Sequence, residues 1–330
     1  MTANRAAMRL TLDGVDLADK VNPRHMELTL TEKRGGEADE LSLTLQNADG
    51  RLALPDPGKI IALSLGWEAG DDVTPGLVEK GRYTVDEVEA SGPPDRITIR
   101  ARSADLSGSY RRRRTKAWKG VTLGTILSEI AGRHGVTAQV HPDLSGKSIT
   151  IDQNGKSDMA FVRDLGSRFD AVATWKDRRL IFMPVGSDTT PSGTVIPGLT
   201  LTRRDGWAWS FTRAERDEND GVQAQWHDQT SGRKKTHSTG GDNPKRLKRV
   251  YASEADAKQA ADAEAKKRAR GGYRFEYDLA QADCRITPGR KLTLSGWGSK
   301  IDAVTWLVDT VETTFTGRGI KQKISLESAT

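Results

Sequence analysis

The sequence predicts a mainly β protein with an α+β insert. We expect two small antiparallel β-barrels, a small α/β module between them, and one helix packed on the second barrel. Near both ends of the chain, short segments alternate apolar and polar residues between turn residues, which is typical of strands. Between about residues 103 and 184 the apolar residues instead recur at helical spacing. The hydrophobic content of 35% is low for a compact enzyme but adequate for β-rich modules. The predicted boundaries are 1–108, 109–190 and 191–330.

The first region contains only strand patterns. Turn-forming pairs such as Asp13-Gly14 and Asp49-Gly50 separate them, at spacings typical of a sandwich or a barrel. The predicted strands cover 9–12, 26–31, 41–46, 60–66, 82–87 and 96–102.

The middle region has two helix patterns followed by a strand pair. The first helix is predicted over 122–133 and ends before Gly135; the second begins at the cap residue Ser157. The strand pair that follows turns at Lys176-Asp177. The apolar helix faces consist of Leu123, Ile126, Leu127 and Ile130, and of Phe161, Val162, Leu165 and Phe169.

The last region begins with strands and includes a helix predicted over 253–270, where Ser253 and Asp256 have the spacing of a capping pair. Strands are predicted at 285–287, 291–294, 305–308 and 320–324. Trp207 and Trp209 alternate with Ala208, so we expect both rings on one strand face, in the barrel core or at a subunit interface.

The chemistry-bearing residues indicate no enzyme. The five histidines are far apart, Cys284 is the only cysteine, and no nucleotide-binding or nucleophile motif is present. We therefore predict no catalytic residue, no metal and no cofactor. No apolar run approaches the roughly 18 residues that span a bilayer, so membrane insertion is not expected. The net charge of +6 combines 51 basic with 45 acidic residues, which is a weak indication of a polyanionic partner.

One basic run is a candidate partner-contact site. It comprises Arg111, Arg112, Arg113, Arg114 and Lys116, and it is flanked by the aromatic residues Tyr110 and Trp118. Such a mixture is used on nucleic acids. A solvated linker between two modules, or an arm that contacts an acidic face of a neighbouring protein, fits the same residues.

The order of these segments resembles the late control D family of contractile phage tails, whose members are baseplate hub proteins. The resemblance rests on ELSLTLQNADGRLALPDPGKIIALSLGW, TLGTILSEIAGRHGV, FVRDLGSRFDAVATWKDRRLIF and PGRKLTLSGWGSKIDAVTWLVDTV in that order. The amino-terminal part of type VI secretion spike proteins has a similar architecture. No needle repeats follow here, so we expect the spike to be a separate polypeptide.

The resemblance implies a structural role without a reaction. It implies a homotrimer whose two barrels per chain join the hexameric tail tube to the trimeric central spike, with contacts to other baseplate proteins and DNA passage through the lumen. It also implies a place in the virion after assembly in the bacterial cytoplasm. Two alternatives remain open at this point: a basic nucleic-acid-binding protein and a tail-associated cell-wall hydrolase.

Overall fold

The computed structural model describes residues 3–35, 37–103, 108–213, 220–270 and 272–329. The protein is mainly β, as predicted. The first region contains β1 (Arg5–Leu12), β2 (Val15–Asp16), α1 (Ala18–Val21), β3 (His25–Lys33), β4 (Glu40–Gln46), β5 (Ile60–Ala69), β6 (Gly76–Ser91) and β7 (Arg96–Arg102). The middle region contains α2 (Gly108–Arg111), β8 (Arg113–Thr122), α3 (Leu123–Arg133), β9 (Thr137–Val140), α4 (Pro142–Ser145), β10 (Ser148–Ser157), α5 (Asp158–Phe169), β11 (Ala171–Lys176) and β12 (Arg179–Pro184).

The last region contains β13 (Leu199–Thr202), β14 (Gly206–Arg213), β15 (Gly221–Asp228), β16 (Arg233–Ser238), β17 (Pro244–Tyr251), α6 (Glu254–Ala269), β18 (Tyr273–Leu279), β19 (Lys291–Ser295), α7 (Ser299–Asp302), β20 (Trp306–Thr316) and β21 (Gly319–Ser328). In the described ranges, no helix is long and apolar enough to cross a bilayer.

Strands from the first and last regions form one 13-stranded sheet. Its main path runs β14-β18-β21-β20-β3-β4-β7-β6-β5-β1-β2, and β19 and β13 branch from β20. The two regions meet where β20 pairs antiparallel with β3, with Thr310 opposite Lys33 and Thr316 opposite Glu27. The edges of β3 and β20 could each have paired within their own region to close a barrel, but they pair with each other and join the two regions. The described strands close no barrel, so the prediction of two small barrels per chain is not confirmed.

Alternating strands bury one face of this sheet. In β4, Leu41, Leu43 and Leu45 point into the core while the residues between them remain partly accessible. The core of the first region also includes Cys284 and Ile320 from the last region. The hydrophobic packing therefore crosses the junction as the backbone hydrogen bonds do.

The middle region forms its own core between two short sheets and two helices. Thr122 and Ser157 cap α3 and α5 through backbone N–H groups three residues on, and the predicted apolar faces of both helices are buried. Strand β8 pairs with β10, while β11, β12 and β9 form a three-stranded sheet. The hairpin turns at Asp177 and Arg178, both at positive φ, one residue later than predicted.

Buried or half-buried ion pairs fix the middle region to both neighbours. Lys176 Nζ lies 2.5 Å from an oxygen of Asp39, which follows β3. On the other side, Arg168 of α5 lies 2.7 Å from Asp256 of α6, and both side chains are less than one-tenth exposed. Charged pairs removed from water are geometrically demanding, so they fix the relative placement of the elements they join.

Helix α6 confirms the predicted position but not the predicted packing. The Ser253 hydroxyl accepts a hydrogen bond from the Asp256 N–H at 3.2 Å. Ala257, Ala260 and Ala261 then pack on a separate three-stranded sheet in the order β16-β15-β17. Helix α6 thus packs on three strands of the 191–330 region, while the barrel on which we expected the helix is not confirmed.

Residues 285–287, a predicted strand, lie outside the strands: Arg285 is part of a turn, and Ile286 and Thr287 have no regular secondary structure. The Arg285 N–H donates to the Asp283 carboxylate at 2.9 Å, and the Ile286 N–H donates to the Asp283 carbonyl at 2.9 Å. Local hydrogen bonds from an aspartate compete with strand pairing. The apolar Ile286 is nonetheless buried, which explains the misleading alternation.

Candidate partner-contact surfaces

The basic run lies where the first region passes into the middle region. Arg111 ends α2, Arg112 follows it, and Arg113 begins β8; all three side chains are exposed. Among the described residues, no carboxylate lies within 4.0 Å of their charged groups. These three arginines therefore form a solvent-facing cationic arm.

The other members of the run are engaged in the fold. Arg114 Nε lies 3.4 Å from Asp158. Lys116 Nζ lies 2.5 Å from Glu129 and 4.1 Å from the centre of the Trp118 ring. The Trp118 ring is buried in the core of the middle region. The run is thus neither a simple solvated linker nor a uniform binding strip.

A buried carboxylate holds the inner part of the run. Asp158 is fully buried at the start of α5, where it accepts hydrogen bonds from Arg133 at 3.1 Å and Gln153 at 2.8 Å. His134 Nε2 is 2.9 Å from its second oxygen. Its place after the cap Ser157 marks Asp158 as a helix-start residue, but the sequence gives no sign of these tertiary partners. The Asp158 cluster holds Arg114 in place, and Arg114 directly follows the three arginines of the cationic arm.

Among the residues that the structure describes, strand β14 forms one end of the large sheet and pairs with β18 alone. It is eight residues long, and most of its side chains are accessible. Trp207 and Trp209 are 57% and 40% exposed. An edge strand offers unpaired backbone groups, and exposed aromatic rings beside them mark a surface that another chain could cover.

The two tryptophans lie on opposite faces of β14, contrary to the prediction. A bulge between Gly206 and Ala208 shifts the register, which places Trp209 opposite the buried Tyr277. Trp209 stacks on the buried Phe275 at 5.8 Å between ring centres, whereas the Trp207 ring lies 5.4 Å from Nζ of the outward-facing Lys321. The extra residue of the bulge breaks the two-residue alternation on which the prediction depended.

The remaining candidate groups have structural partners. His141 caps α4 through the Asp143 N–H at 3.2 Å, and Asp220 accepts from the N–H groups of Asp242 and Asn243 at 2.8 Å each. Those two bonds hold the pKa of Asp220 below its usual value. The acidic residues Asp217 and Glu218, which precede Asp220 in the sequence, lie outside the described residues. Burial raises the pKa of the Cys284 thiol to about 11. Within the part of the chain that the structure describes, no cluster of potential metal ligands occurs.

The fold is similar to that of solved phage tail proteins. A tail protein from Neisseria meningitidis MC58 superimposes with a TM-score of 0.67 at 12% identity, covering 98% of this chain and 96% of the other. A 43 kDa tail protein of prophage MuSo2 from Shewanella oneidensis gives a TM-score of 0.66 at 14% identity, with 97% of each chain covered. At these identities the likeness concerns the fold.

Sequence similarity identifies the family within that class. The phage tail baseplate hub (GPD) family matches residues 23–319. Probable baseplate hub proteins of Escherichia phages 186 and P2 are 33% and 34% identical, over 99% and 96% of this chain and 94% and 92% of their own lengths. The chain belongs to the phage tail baseplate hub family and is a component of the virion.

Proposed function

We propose that this chain is the central hub of a contractile-tail baseplate, a homotrimer that joins the hexameric tail tube to the trimeric central spike. A sixfold ring and a threefold ring can form regular contacts only through an adaptor that presents both sixfold and threefold symmetry. Family membership and the two sheet-forming regions of each chain support this role. Segments 1–108 and 191–330 act as two barrel-like ring segments, with 109–190 as the module between them.

The exposed edge strand β14 is the observation that carries this proposal. Trp207 and Trp209 project from opposite faces of that strand and are each at least 40% exposed. Aromatic residues are enriched in the buried centres of protein interfaces. A neighbouring chain that covers β14 would bury both rings and pair the free backbone edge.

The cationic arm serves as a second contact, directed at an acidic face of the tube or the spike. Its contacting groups are Arg111, Arg112 and Arg113, while Arg114, Lys116 and Trp118 hold its base. The variant Arg111→Ser/Arg112→Ser/Arg113→Ser should lose co-purification with one of these partners at moderate salt. Unchanged co-purification would reject the contact.

The role is structural rather than enzymatic, since the family is one of baseplate hubs. Other baseplate proteins surround the hub, DNA passes through its lumen, and assembly takes place in the bacterial cytoplasm. Type VI secretion offers a parallel: an Escherichia coli component of that system shares the fold with a TM-score of 0.57 at 12% identity. Zymography on peptidoglycan would reveal lytic activity if the chain were a cell-wall hydrolase.

Native mass tests the trimer. Light scattering of the chain, alone and co-expressed with the spike protein, should give three times the chain mass of 36.1 kDa in at least one state. Trp207→Ser/Trp209→Ser should shift the trimer towards monomer. Val195→Ser, which also removes an exposed apolar side chain, should leave the mass unchanged. A monomer in both states would overturn the proposal.

A further inference from the structure

The net positive charge of this chain is concentrated on the three-stranded β16-β15-β17 sheet. Residues 221–252, which form β15, β16 and β17, contain seven lysines and arginines but only two aspartates. This segment of 32 residues therefore accounts for five of the six net positive charges of the whole chain. The chain as a whole is only weakly basic, but this one sheet is strongly basic.

Most of these cations have no carboxylate partner. Lys235 lies 2.6 Å from Asp228, and Lys245 lies 2.7 Å from Glu264 of α6. No carboxylate of the described residues is within 4.0 Å of the charged groups of the other five, which are Arg233, Lys234, Arg246, Lys248 and Arg249. Unpaired cations that repel one another across a small sheet favour an anionic partner.

The two faces of the sheet differ. Helix α6 covers the face that carries Val222, Ala224 and Trp226. On the opposite face the register places Lys234 beside His227 and Arg246 beside Gln223. Gln225, Thr236 and Ser238 share this outer face, whose exposed apolar member is Val250.

The composition of the outer face distinguishes between anionic partners. A protein interface has an apolar or aromatic centre, which Val250 alone does not supply. A membrane-surface site needs inserted aromatic or aliphatic groups as well as cations. Single-stranded nucleic acid is held chiefly by large aromatic rings that stack on bases, and the described residues of β15, β16 and β17 place no Phe, Tyr or Trp on the outer face. Lysine, arginine, glutamine and threonine are the side chains that contact the phosphates of a duplex.

We propose that the outer face of the β16-β15-β17 sheet binds the sugar-phosphate backbone of double-stranded DNA. This activity goes beyond the symmetry-adaptor role and is independent of sequence, because phosphate contacts carry no base readout. Lys234 and Arg246 contact the phosphates from the two outer strands, with Lys248 beside them on β17.

Fluorescence anisotropy of a labelled 30-base-pair duplex between 50 and 300 mM NaCl tests the site, with the purified chain in its native oligomeric state. Lys234→Gln/Arg246→Gln/Lys248→Gln should weaken binding at least tenfold and reduce the salt slope by about 3, since each phosphate contact contributes about 1. The control Arg111→Gln/Arg112→Gln/Arg113→Gln removes the same charge from the cationic arm and should bind like the parent.

A gain-of-function variant makes the result independent of any folding defect. Gln223→Lys/Gln225→Lys adds two cations to the same face and should raise the salt slope by about 2. Absence of duplex binding at 50 mM NaCl, or equal losses in the sheet and arm variants, would overturn the proposal. Tighter binding of a polyglutamate peptide than of the duplex would identify an acidic protein as the partner instead and would also overturn it.

Discussion

Replacing Asp158 by Asn should loosen the middle region by about 3 kcal/mol. The carboxylate is fully buried and meets Arg133 at 3.1 Å, Gln153 at 2.8 Å, His134 at 2.9 Å and Arg114 at 3.4 Å. Removing one charge from a buried cluster costs about 3–5 kcal/mol. The lower end applies here, because an amide keeps one acceptor oxygen and Arg133 retains a second carboxylate partner at 2.6 Å.

Amide hydrogen exchange by mass spectrometry measures this loss segment by segment, which suits a chain with several cores. At about 1.4 kcal/mol per tenfold change, exchange in α5 and β8 should accelerate roughly a hundredfold. Asp164→Asn is the matched control, since Asp164 lies on the same helix and pairs with Lys156 at the surface. Equal exchange in the two variants would show that Asp158 does not hold these elements together.

Three further predictions concern other parts of the chain. At pH 8 only about 0.1% of the Cys284 thiol should be ionised, given its pKa of about 11, so a disulfide reagent should react more than a hundredfold slower than with glutathione until denaturant is added. The Asp302 carboxylate accepts hydrogen bonds from the backbone N–H groups of residues 296–298, and these bonds, above all the one from residue 296, hold the pKa of Asp302 below 3.8. The stability that these bonds give the fold is present above pH 3.8 and is lost as the pH falls through the lowered pKa. Asp302→Asn should therefore lower the thermal midpoint at pH 7, and the difference from the parent should shrink as the pH falls below 3.8. Gly66→Ala should destabilise the fold by more than about 1 kcal/mol in denaturant titrations, because the added carbon would lie 1.9 Å from a backbone oxygen. Gly132→Ala, on an open helix surface, should stabilise it by about 0.5–1 kcal/mol.

Local patterns predicted the secondary structure well where one rule applied. The caps Thr122 and Ser157 and the helical spacing of their apolar residues located α3 and α5 to within one residue. The rule failed at Trp207, where a bulge shifts the alternation, and at Arg285, where an aspartate side chain replaces a strand partner. In both places a local change in backbone hydrogen bonding alters the structure, and the spacing of apolar residues carries no information about such a change.

Tertiary partners were beyond the reach of the sequence. Nothing near Lys33 indicates that its strand pairs with residues around Thr310, and nothing near Asp158 indicates that two arginines and a histidine surround it. The basic run illustrates the same limit, since a string of like residues divides into three exposed arginines and two partly exposed residues, Arg114 and Lys116, that pair with Asp158 and Glu129. Only the fold determines which side of a strand each residue occupies.

The pairing of β3 with β20 has a consequence for biosynthesis. Thr310 must be translated before it can meet Lys33, and the intervening chain takes some tens of seconds at about 5–20 residues per second. During that interval one edge of β3 has no native partner on the nascent chain, and the amino-terminal half cannot complete its sheet. Ribosome-bound chains that stall before β20 should therefore be the species most prone to aggregation and most dependent on chaperones.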